Sequence, residues 1–413
     1  MSNRKILFKN SFWLGLVEVM SKLIMFGVTV SMVRYFGPKE FGAYNLSSAY
    51  VAIFLIMADL GMSQIANREI AKEKDKTQKY LSNLLSAKLV LGALTILTIL
   101  VSTYIINSSQ ARGLILAIGV YQLCQVTQST FVTIFTAWEK MELVFLTKLT
   151  FYIGILLATI WTIGNKGSVL DLAISYVVTT LISLIISLEL IKKLDLRIVL
   201  EFDKKFILTL SKEASPLLAT AIVAAVYANI DTLLIGKFLG QEKVGFYQAA
   251  YKILFAFQSI NFINNAIFPR MSVLVHQQNR VTLNRLLKIV IGFSLVGLIP
   301  LTLIITIGRD LIVTTIYGTN YLIAGSAMAI LIWAGVINYF RILLSNLLVA
   351  QSKQKYTFYA VLVGMLLNLG LNYFLISIYG FSAAATSLLI SEGIILGVTL
   401  CFIYYPQRFF RGI

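Results

Sequence analysis

The sequence predicts an all-α, polytopic membrane protein with about twelve transmembrane helices in two parallel six-helix lobes. Three observations predict it. Apolar residues fill 58% of the 413 positions and charged residues only 13%, where soluble domains carry about a quarter; mean hydropathy is +0.84. Long apolar segments recur along the whole chain, each near the roughly 20 residues needed to cross a hydrocarbon core. Finally, one loop is stated twice: "RYFGPKEFGAYN" from Arg34 returns as "KFLGQEKVGFYQ" from Lys237. Gly37, Gly42 and Tyr44 are matched by Gly240, Gly245 and Tyr247, each 203 positions later.

Basic residues precede the first apolar segment, 11–33, as in a signal peptide. The run from Phe12 to Val33 exceeds a signal h-region and no A-x-A-like site follows it, so it reads as a retained span. The first copy of the loop separates it from span 2, 42–62, and a charged stretch from Arg68 to Lys79 separates span 2 from span 3, 81–106. Spans 4 and 5 are 113–137 and 143–164; the tight break "IGNKGS" leads into span 6, 168–191. Basic residues from Lys192 to Lys212 mark the join between an N-lobe, 1–200, and a C-lobe, 201–413. The second half holds spans 213–236, 244–268, 286–307, 322–349, 356–378 and 381–405. No connection is long enough for a soluble domain. Cys124 and Cys401 fall inside spans, which gives no disulfide framework.

A net charge of +17 suggests nucleic acid until it is mapped. The termini and even-numbered loops, with the span ends beside them, hold 24 of the Lys and Arg residues; the other side holds 7 and four lie within spans. That asymmetry is the positive-inside signature. Both termini are therefore expected in the cytoplasm, with no nucleic-acid partner. Six spans separate the two copies of the loop, so both lie on one side and the halves are parallel repeats. Two further echoes agree. "REIAKEKDKTQKYLSNLL" from Arg68 parallels "RMSVLVHQQNRVTLNRLL" from Arg270, and "GNKGSVLDLA" before span 6 parallels "SIYGFSAAAT" before span 12. In each loop the glycines are expected to permit a tight reversal, stiffened in the first by Pro38. Two similar bundles with a site between them is the architecture of a rocking transporter.

The stretches "VRYFGPKEFGAYNLSSAYVAIF", "ADLGMSQIANREIA" and "NIDTLLIGKFLGQEKVGFYQAAYKI" resemble the signature segments of the polysaccharide transporters. These are the Wzx-type O-antigen flippases of the multidrug/oligosaccharidyl-lipid/polysaccharide exporter superfamily. The resemblance spans essentially the whole chain. It implies a non-enzymatic protein of the bacterial plasma (inner) membrane that moves an undecaprenyl-diphosphate-linked oligosaccharide from the cytoplasmic to the outer leaflet by alternating access. It also implies contact with membrane lipids and a transient meeting with polysaccharide polymerase machinery.

Four cations lie well inside spans: Lys22, Lys88, Lys252 and Arg341. Each costs about 2.5–3.5 kcal/mol at a bilayer centre, so each needs a partner, an aqueous cavity or a route to the interface. Lys88 is near enough to a span end to snorkel. Lys22 has Glu18 four residues earlier, in the favourable order for an intrahelical pair. Lys252 has no acid three or four residues away. Arg341 sits in a polar stripe with Asn338 and Ser345, and its guanidinium suits phosphate oxygens. In Wzx-like flippases a cationic cavity receives the lipid diphosphate; the resemblance puts that role on Lys22, Lys252 and Arg341.

Among in-span acids, Asp59 reads as a solvated interfacial charge and Glu392 has no assigned role. Relatives in the superfamily use acids in spans 1 and 7 for ion coupling. This makes Glu18 and Asp231 the matching positions, for H+ or Na+, with an Asp231–Lys252 ion pair as the structural alternative. Amide and tyrosine side chains suit sugar hydroxyls. Tyr251, Gln258, Asn261 and Asn265 are spaced as one helix face, and span 4 offers Gln122, Gln125 and Gln128; Asn368 and Asn372 mark span 11. Of these, Tyr251, Gln258, Asn261, Asn265, Gln125 and Gln128 are the expected glycan contacts, with helix–helix adhesion as the plainer reading of each. Gly393 and Gly397 form a GxxxG expected to serve packing.

No Walker-type or dinucleotide glycine motif is present, and the single histidine, His276, lies in a cytoplasmic loop. No cofactor or metal is expected. A multidrug exporter of the same superfamily is the nearest alternative, though it would favour an aromatic rather than amide-rich cavity. Peptidoglycan-precursor flippases typically carry two further C-terminal spans. A polymerase or multispanning glycosyltransferase would need a long extracytoplasmic loop, and those loops are short here.

Overall fold

A computed structural model describes residues 3–105 and 111–404. Every regular element among them is helical: α1 (Asn3–Leu55), α2 (Met62–Lys72), α3 (Thr77–Ile105), α4 (Arg112–Ala137), α5 (Met141–Gly164), α6 (Val169–Ile191), α7 (Lys204–Leu239), α8 (Gln241–Phe257), α9 (Phe262–His276), α10 (Arg280–Ile307), α11 (Arg309–Tyr317), α12 (Ala324–Ala350), α13 (Gln354–Tyr379) and α14 (Ser382–Tyr404). Ten helices among the described residues are long and apolar enough to cross a membrane. Two departures from the twelve expected segments account for the difference. Expected spans 1 and 2 form the single run α1, broken only at Gly37, and expected span 8 is divided between α8 and α9 by a 3-10 turn, Gln258–Asn261.

Local chemistry explains the boundaries. Ser168 and Asp171 form a capping box that starts α6 directly after its tight turn. The Asp203 carboxylate accepts the Phe206 N–H at the head of α7, and Asn279 accepts from Thr282 at the head of α10, satisfying donors the helix leaves open. Many large apolar side chains, Leu157, Trp161 and Ile182 among them, are exposed. For helices apolar on every side, that is the surface a bilayer covers.

The chain divides into two compact units, one of residues 1–36 and 43–225, the other of 37–42 and 226–413. In the first, a core runs through α2, α3, α4, α6 and the start of α7, with Met62, Leu81, Phe131, Phe135, Ile191 and Ala214 at its centre. In the second, smaller clusters join α9, α10 and α12 around Met271 and Leu343, and α12, α13 and α14 around Leu348 and Ile395.

Residues 37–42 cluster with the second unit, and the contact explains the doubled loop. Gly37 has φ 68° and Gly240 φ 84°, a conformation that only glycine holds cheaply when ψ is near 180°. Each breaks the helix, so that Pro38 or Gln241 opens the next. The second glycine of each loop serves close approach rather than a turn: a Cβ on Gly42 would collide with the Gln241 carbonyl, and one on Gly245 with the Pro38 carbonyl. Pro38 and Gln241 are themselves 203 positions apart. The contact is therefore reciprocal, and each copy of the loop supplies the gap the other needs. The GxxxG glycines behave otherwise. A Cβ on Gly393 or Gly397 would meet nothing within 4 Å, whereas one on Gly364 would strike Ile395. Close packing of α13 on α14 therefore rests on Gly364, not on the expected motif.

Candidate functional site

In the first unit the in-span charges are paired. Lys22 Nζ lies 2.6 Å from Glu18 Oε1, one turn earlier on α1, and both side chains are exposed. Lys88 does not snorkel, and Asp59 is not a solvated charge. The Lys88 side chain is wholly buried, with Nζ 2.9 Å from Asp59 Oδ1. It also donates to Ser63 Oγ, Ser129 Oγ and the Val126 carbonyl at 2.8–2.9 Å. Burial explains the reversal: α2 and α4 pack over α3 at that level, so the ammonium finds a carboxylate and three oxygens before it could reach the interface.

The expected glycan contacts in α4 part company. Gln128 is buried, and its Nε2 donates to Ser183 Oγ, Ser187 Oγ and the Ser183 carbonyl on α6. It fastens two helices and has no donor to spare. Gln125, one turn away, is half-buried with no hydrogen bond among the described residues. Nearby, Tyr44 and Tyr121 share a hydroxyl contact of 3.0 Å, and Tyr176 bonds Thr159 at 2.8 Å. This aromatic–hydroxyl cluster escaped the reading by residue type.

The second unit concentrates unlike charges. Asp231 on α7 is buried; Oδ2 accepts from the Tyr247 hydroxyl at 2.6 Å and Oδ1 from Asn372 Nδ2 at 2.5 Å. Asn372 also donates to Asn368 Oδ1 at 3.0 Å. Asn372 Oδ1, Asn368 Nδ2 and the hydroxyls of Ser387 and Ser391 are buried without partners. The alternative Asp231–Lys252 ion pair is absent: Asp231 takes neutral donors, and Lys252, half-buried on α8, has no ion pair or hydrogen bond among the described residues. Arg341 on α12 is paired, which sequence reasoning missed. Its Nε lies 2.6 Å from Glu392 Oε2 on α14, and Glu392 Oε1 accepts from the Tyr227 hydroxyl on α7 at 3.0 Å. Glu392 is 51 positions from Arg341, so no local spacing could have found it.

The face expected on span 8 is interrupted. A 3-10 turn advances about 120° per residue against about 100° for an α-helix, so the four residues Gln258–Asn261 rotate the start of α9 by roughly 80° relative to α8. Asn265 is consequently exposed, while its neighbour Asn264 is buried, donating to the Tyr339 carbonyl at 3.1 Å and to Asn261 Oδ1 at 3.0 Å. Tyr251 and Gln258 stay half-buried, and the Tyr251 ring lies 6.1 Å from that of Tyr247.

This arrangement offers a cation with an unclaimed ammonium, a guanidinium with one edge engaged, and an acid surrounded by neutral oxygen and amide groups. It can hold an anion and, separately, a proton or small cation. It contains no activated nucleophile, and among the described residues no cluster of His, Cys, Asp and Glu fits a metal.

Residues 7–275 match the model of a family described as "Polysaccharide biosynthesis protein", and residues 216–374 match one described as "MatE". The chain is 24% identical over 395 residues to a probable low-salt glycan biosynthesis flippase of Haloferax volcanii, covering 94% of this chain and 80% of that protein. It is likewise 24% identical over 394 residues to a putative O-antigen transporter of Shigella dysenteriae, covering 94% and 98%. Among solved structures, the lipid II flippase MurJ in an inward closed conformation superposes with a TM-score of 0.74 at 15% identity, over 94% of this chain and 87% of that one. The last likeness is one of fold.

Proposed function

The chain belongs to the polysaccharide biosynthesis protein family, and from that premise we propose that it is a flippase for a lipid-diphosphate-linked oligosaccharide. It takes the glycan and diphosphate from the cytoplasmic leaflet to the outer leaflet of a bacterial plasma membrane, while the lipid tail stays in the bilayer. The observation that carries the reading is Lys252. A cation at the centre of a membrane segment, without an ion pair among the described residues, costs about 2.5–3.5 kcal/mol and calls for a substrate or an aqueous path. Arg341 adds a planar group that suits phosphate oxygens, and Gln125, Tyr251 and Gln258 add unclaimed polar groups for sugar hydroxyls. The names of the relatives, an O-antigen transporter and a glycan flippase, support the same substrate class. Lys22 and Gln128 are weaker members of the set, since one is ion-paired and the other fully engaged.

Transport proceeds by alternating access of the two halves, with both termini in the cytoplasm as the charge asymmetry indicates. Outward movement of about two negative charges gains roughly 2.3 kcal/mol each per 100 mV in a negative-inside cell, so ATP is not needed. Asp231 supplies a coupling site for H+ or Na+. Its carboxylate has no cationic partner among the described residues, and the idle Asn372 Oδ1 beside it is a further oxygen ligand of the kind hard cations take. Glu18, exposed and tied to Lys22, is a poorer candidate. A short-lived contact with polymerase machinery accepts the product on the outer face. The MatE match within the second half supports a drug exporter as the second reading.

The test is flipping itself. Protein is reconstituted with an undecaprenyl-diphosphate oligosaccharide in liposomes, and the rate at which inner-leaflet glycan becomes reachable from outside is followed, with Lys252→Ala in parallel. Fast movement that collapses in the variant supports the flippase and the role of Lys252. Fast movement in both keeps the function and removes Lys252 from it. No movement across several glycans, with cationic drugs moving instead, favours the exporter.

A further inference from the structure

Arg341 has five N–H donors, and among the described residues only Nε is engaged, by Glu392 Oε2. A carboxylate facing a guanidinium squarely takes two parallel bonds. Glu392 does not, because its other oxygen is held by the Tyr227 hydroxyl. The Glu392 side chain is 4% exposed and that of Arg341 is 14% exposed, so the carboxylate is enclosed while the guanidinium touches open space. Neither terminal nitrogen of Arg341 makes a hydrogen bond among the described residues, and neither is enclosed as an orphan. The guanidinium is thus half neutralised and half available.

We infer that Glu392 is an internal counter-ion that competes with the substrate's phosphoryl groups for Arg341, and that Tyr227 sets the strength of the competition. This rests on the reading of the substrate as a lipid diphosphate. A diphosphate on the free edge of Arg341 shares its cation with Glu392 and is repelled by it, which keeps binding weak enough for release. When the site empties, Glu392 satisfies the buried cation, so the empty site can reorient without a naked charge in the membrane. Tyr227 holds Glu392 to one-point contact. Without that hydroxyl, the carboxylate is free to turn and take Arg341 with both oxygens, closing the edge an anion needs.

The consequence is a pair of changes with opposite signs. Purified protein in detergent is titrated with farnesyl diphosphate, a soluble lipid diphosphate, and affinity and dissociation rate are measured. Glu392→Gln, which keeps shape and removes charge, tightens binding about tenfold or more, as expected for close charge pairs, and slows dissociation. Tyr227→Phe weakens binding. In an Arg341→Gln background both effects vanish. A structural ion pair would instead lower thermal stability in both variants and shift affinity the same way in each, or not at all. Binding by the wild type with unchanged or weaker affinity in Glu392→Gln overturns the counter-ion while leaving the substrate class intact. Should Glu392→Gln not fold, the sign of the Tyr227→Phe shift decides the matter alone: tightening overturns the inference. Absence of farnesyl diphosphate binding in the wild type overturns both this inference and the substrate reading.

Discussion

Removing either partner of the Asp59–Lys88 pair should be severely destabilising, and removing both should not. Lys88→Met deletes the ammonium and leaves the Asp59 carboxylate 27% exposed without its cation. Asp59→Asn leaves a fully buried ammonium with only neutral acceptors, Ser63, Ser129 and the Val126 carbonyl. Stranding one charge of a buried pair costs about 3–5 kcal/mol; the partly exposed Asp59 places Lys88→Met at the low end and Asp59→Asn at the high end. In the double variant little is orphaned. Ser129 Oγ still donates to the Val126 carbonyl at 2.6 Å, and Ser63 Oγ keeps an acceptor at position 59. The double change should therefore cost only about 1–1.5 kcal/mol, the net worth of ordinary hydrogen bonds. That leaves a coupling of roughly 6–7 kcal/mol between the sites. Unfolding by SDS titration in mixed micelles measures the four proteins of the cycle. Simple additivity, or single changes below about 1 kcal/mol, would refute the pairing as the reason a lysine is tolerated there.

Other consequences are as direct. Gly42→Ala or Gly245→Ala meets a backbone carbonyl and should abolish folded protein or lower its yield several-fold, while Gly393→Ala and Gly397→Ala, facing open space, should express normally; size-exclusion profiles separate the cases. Gln128→Leu removes bonds from α4 to α6 and should cost about 0.6–1.7 kcal/mol, the range of such contacts in membranes, with flipping per folded molecule unchanged. Lys252→Ala breaks no hydrogen bond or ion pair among the described residues, so its thermal midpoint should equal or exceed the wild type's even if transport stops. The carboxyl of Asp203 is held below the ordinary range by the Phe206 N–H and then by Lys79. A carboxyl lowered on folding stabilises above its unfolded pKa and loses that contribution as pH falls through its folded one. Protection of the Phe206 amide, taken relative to its intrinsic exchange rate, should thus hold through pH 5 and fall only below about pH 4, whereas Asp203→Ala should lack that protection throughout.

The fold was largely legible because a bilayer imposes a length on each helix, and a run of about 20 apolar residues announces it. What hid was local deviation. Gly37 turns a loop into a kink within α1, and the turn Gln258–Asn261 breaks span 8 at polar residues that read equally well as one face of an unbroken helix. Among the charges, the division follows sequence separation. Glu18 and Lys22 are one turn apart and could be read from spacing alone. Asp59 with Lys88, and Arg341 with Glu392, lie on different helices, and only packing brings them together. Gln125 and Gln128 show the same limit at closer range. The residue type is identical and the positions are three apart, yet Gln128 bonds Ser183 and Ser187 and Gln125 has no hydrogen bond among the described residues.

The internal repeat supplies a control that a single sequence rarely offers. Residues that the scaffold needs occur in both halves: Gly37 with Gly240, Gly42 with Gly245, Tyr44 with Tyr247. Counting back the same 203 positions, Asp231 falls on Val28 and Lys252 on Ala49. The helices of the first half are built without either charge, so neither is demanded by the architecture. The tyrosine pair sharpens the contrast. Tyr44 spends its hydroxyl on another tyrosine, Tyr121, whereas Tyr247 spends its own on Asp231, so a shared scaffold position has been turned toward an acid in one half only. A charge inside a membrane helix is costly, and these two have not neutralised each other. Their presence in one half of a duplicated frame is a difference that the shared scaffold does not account for.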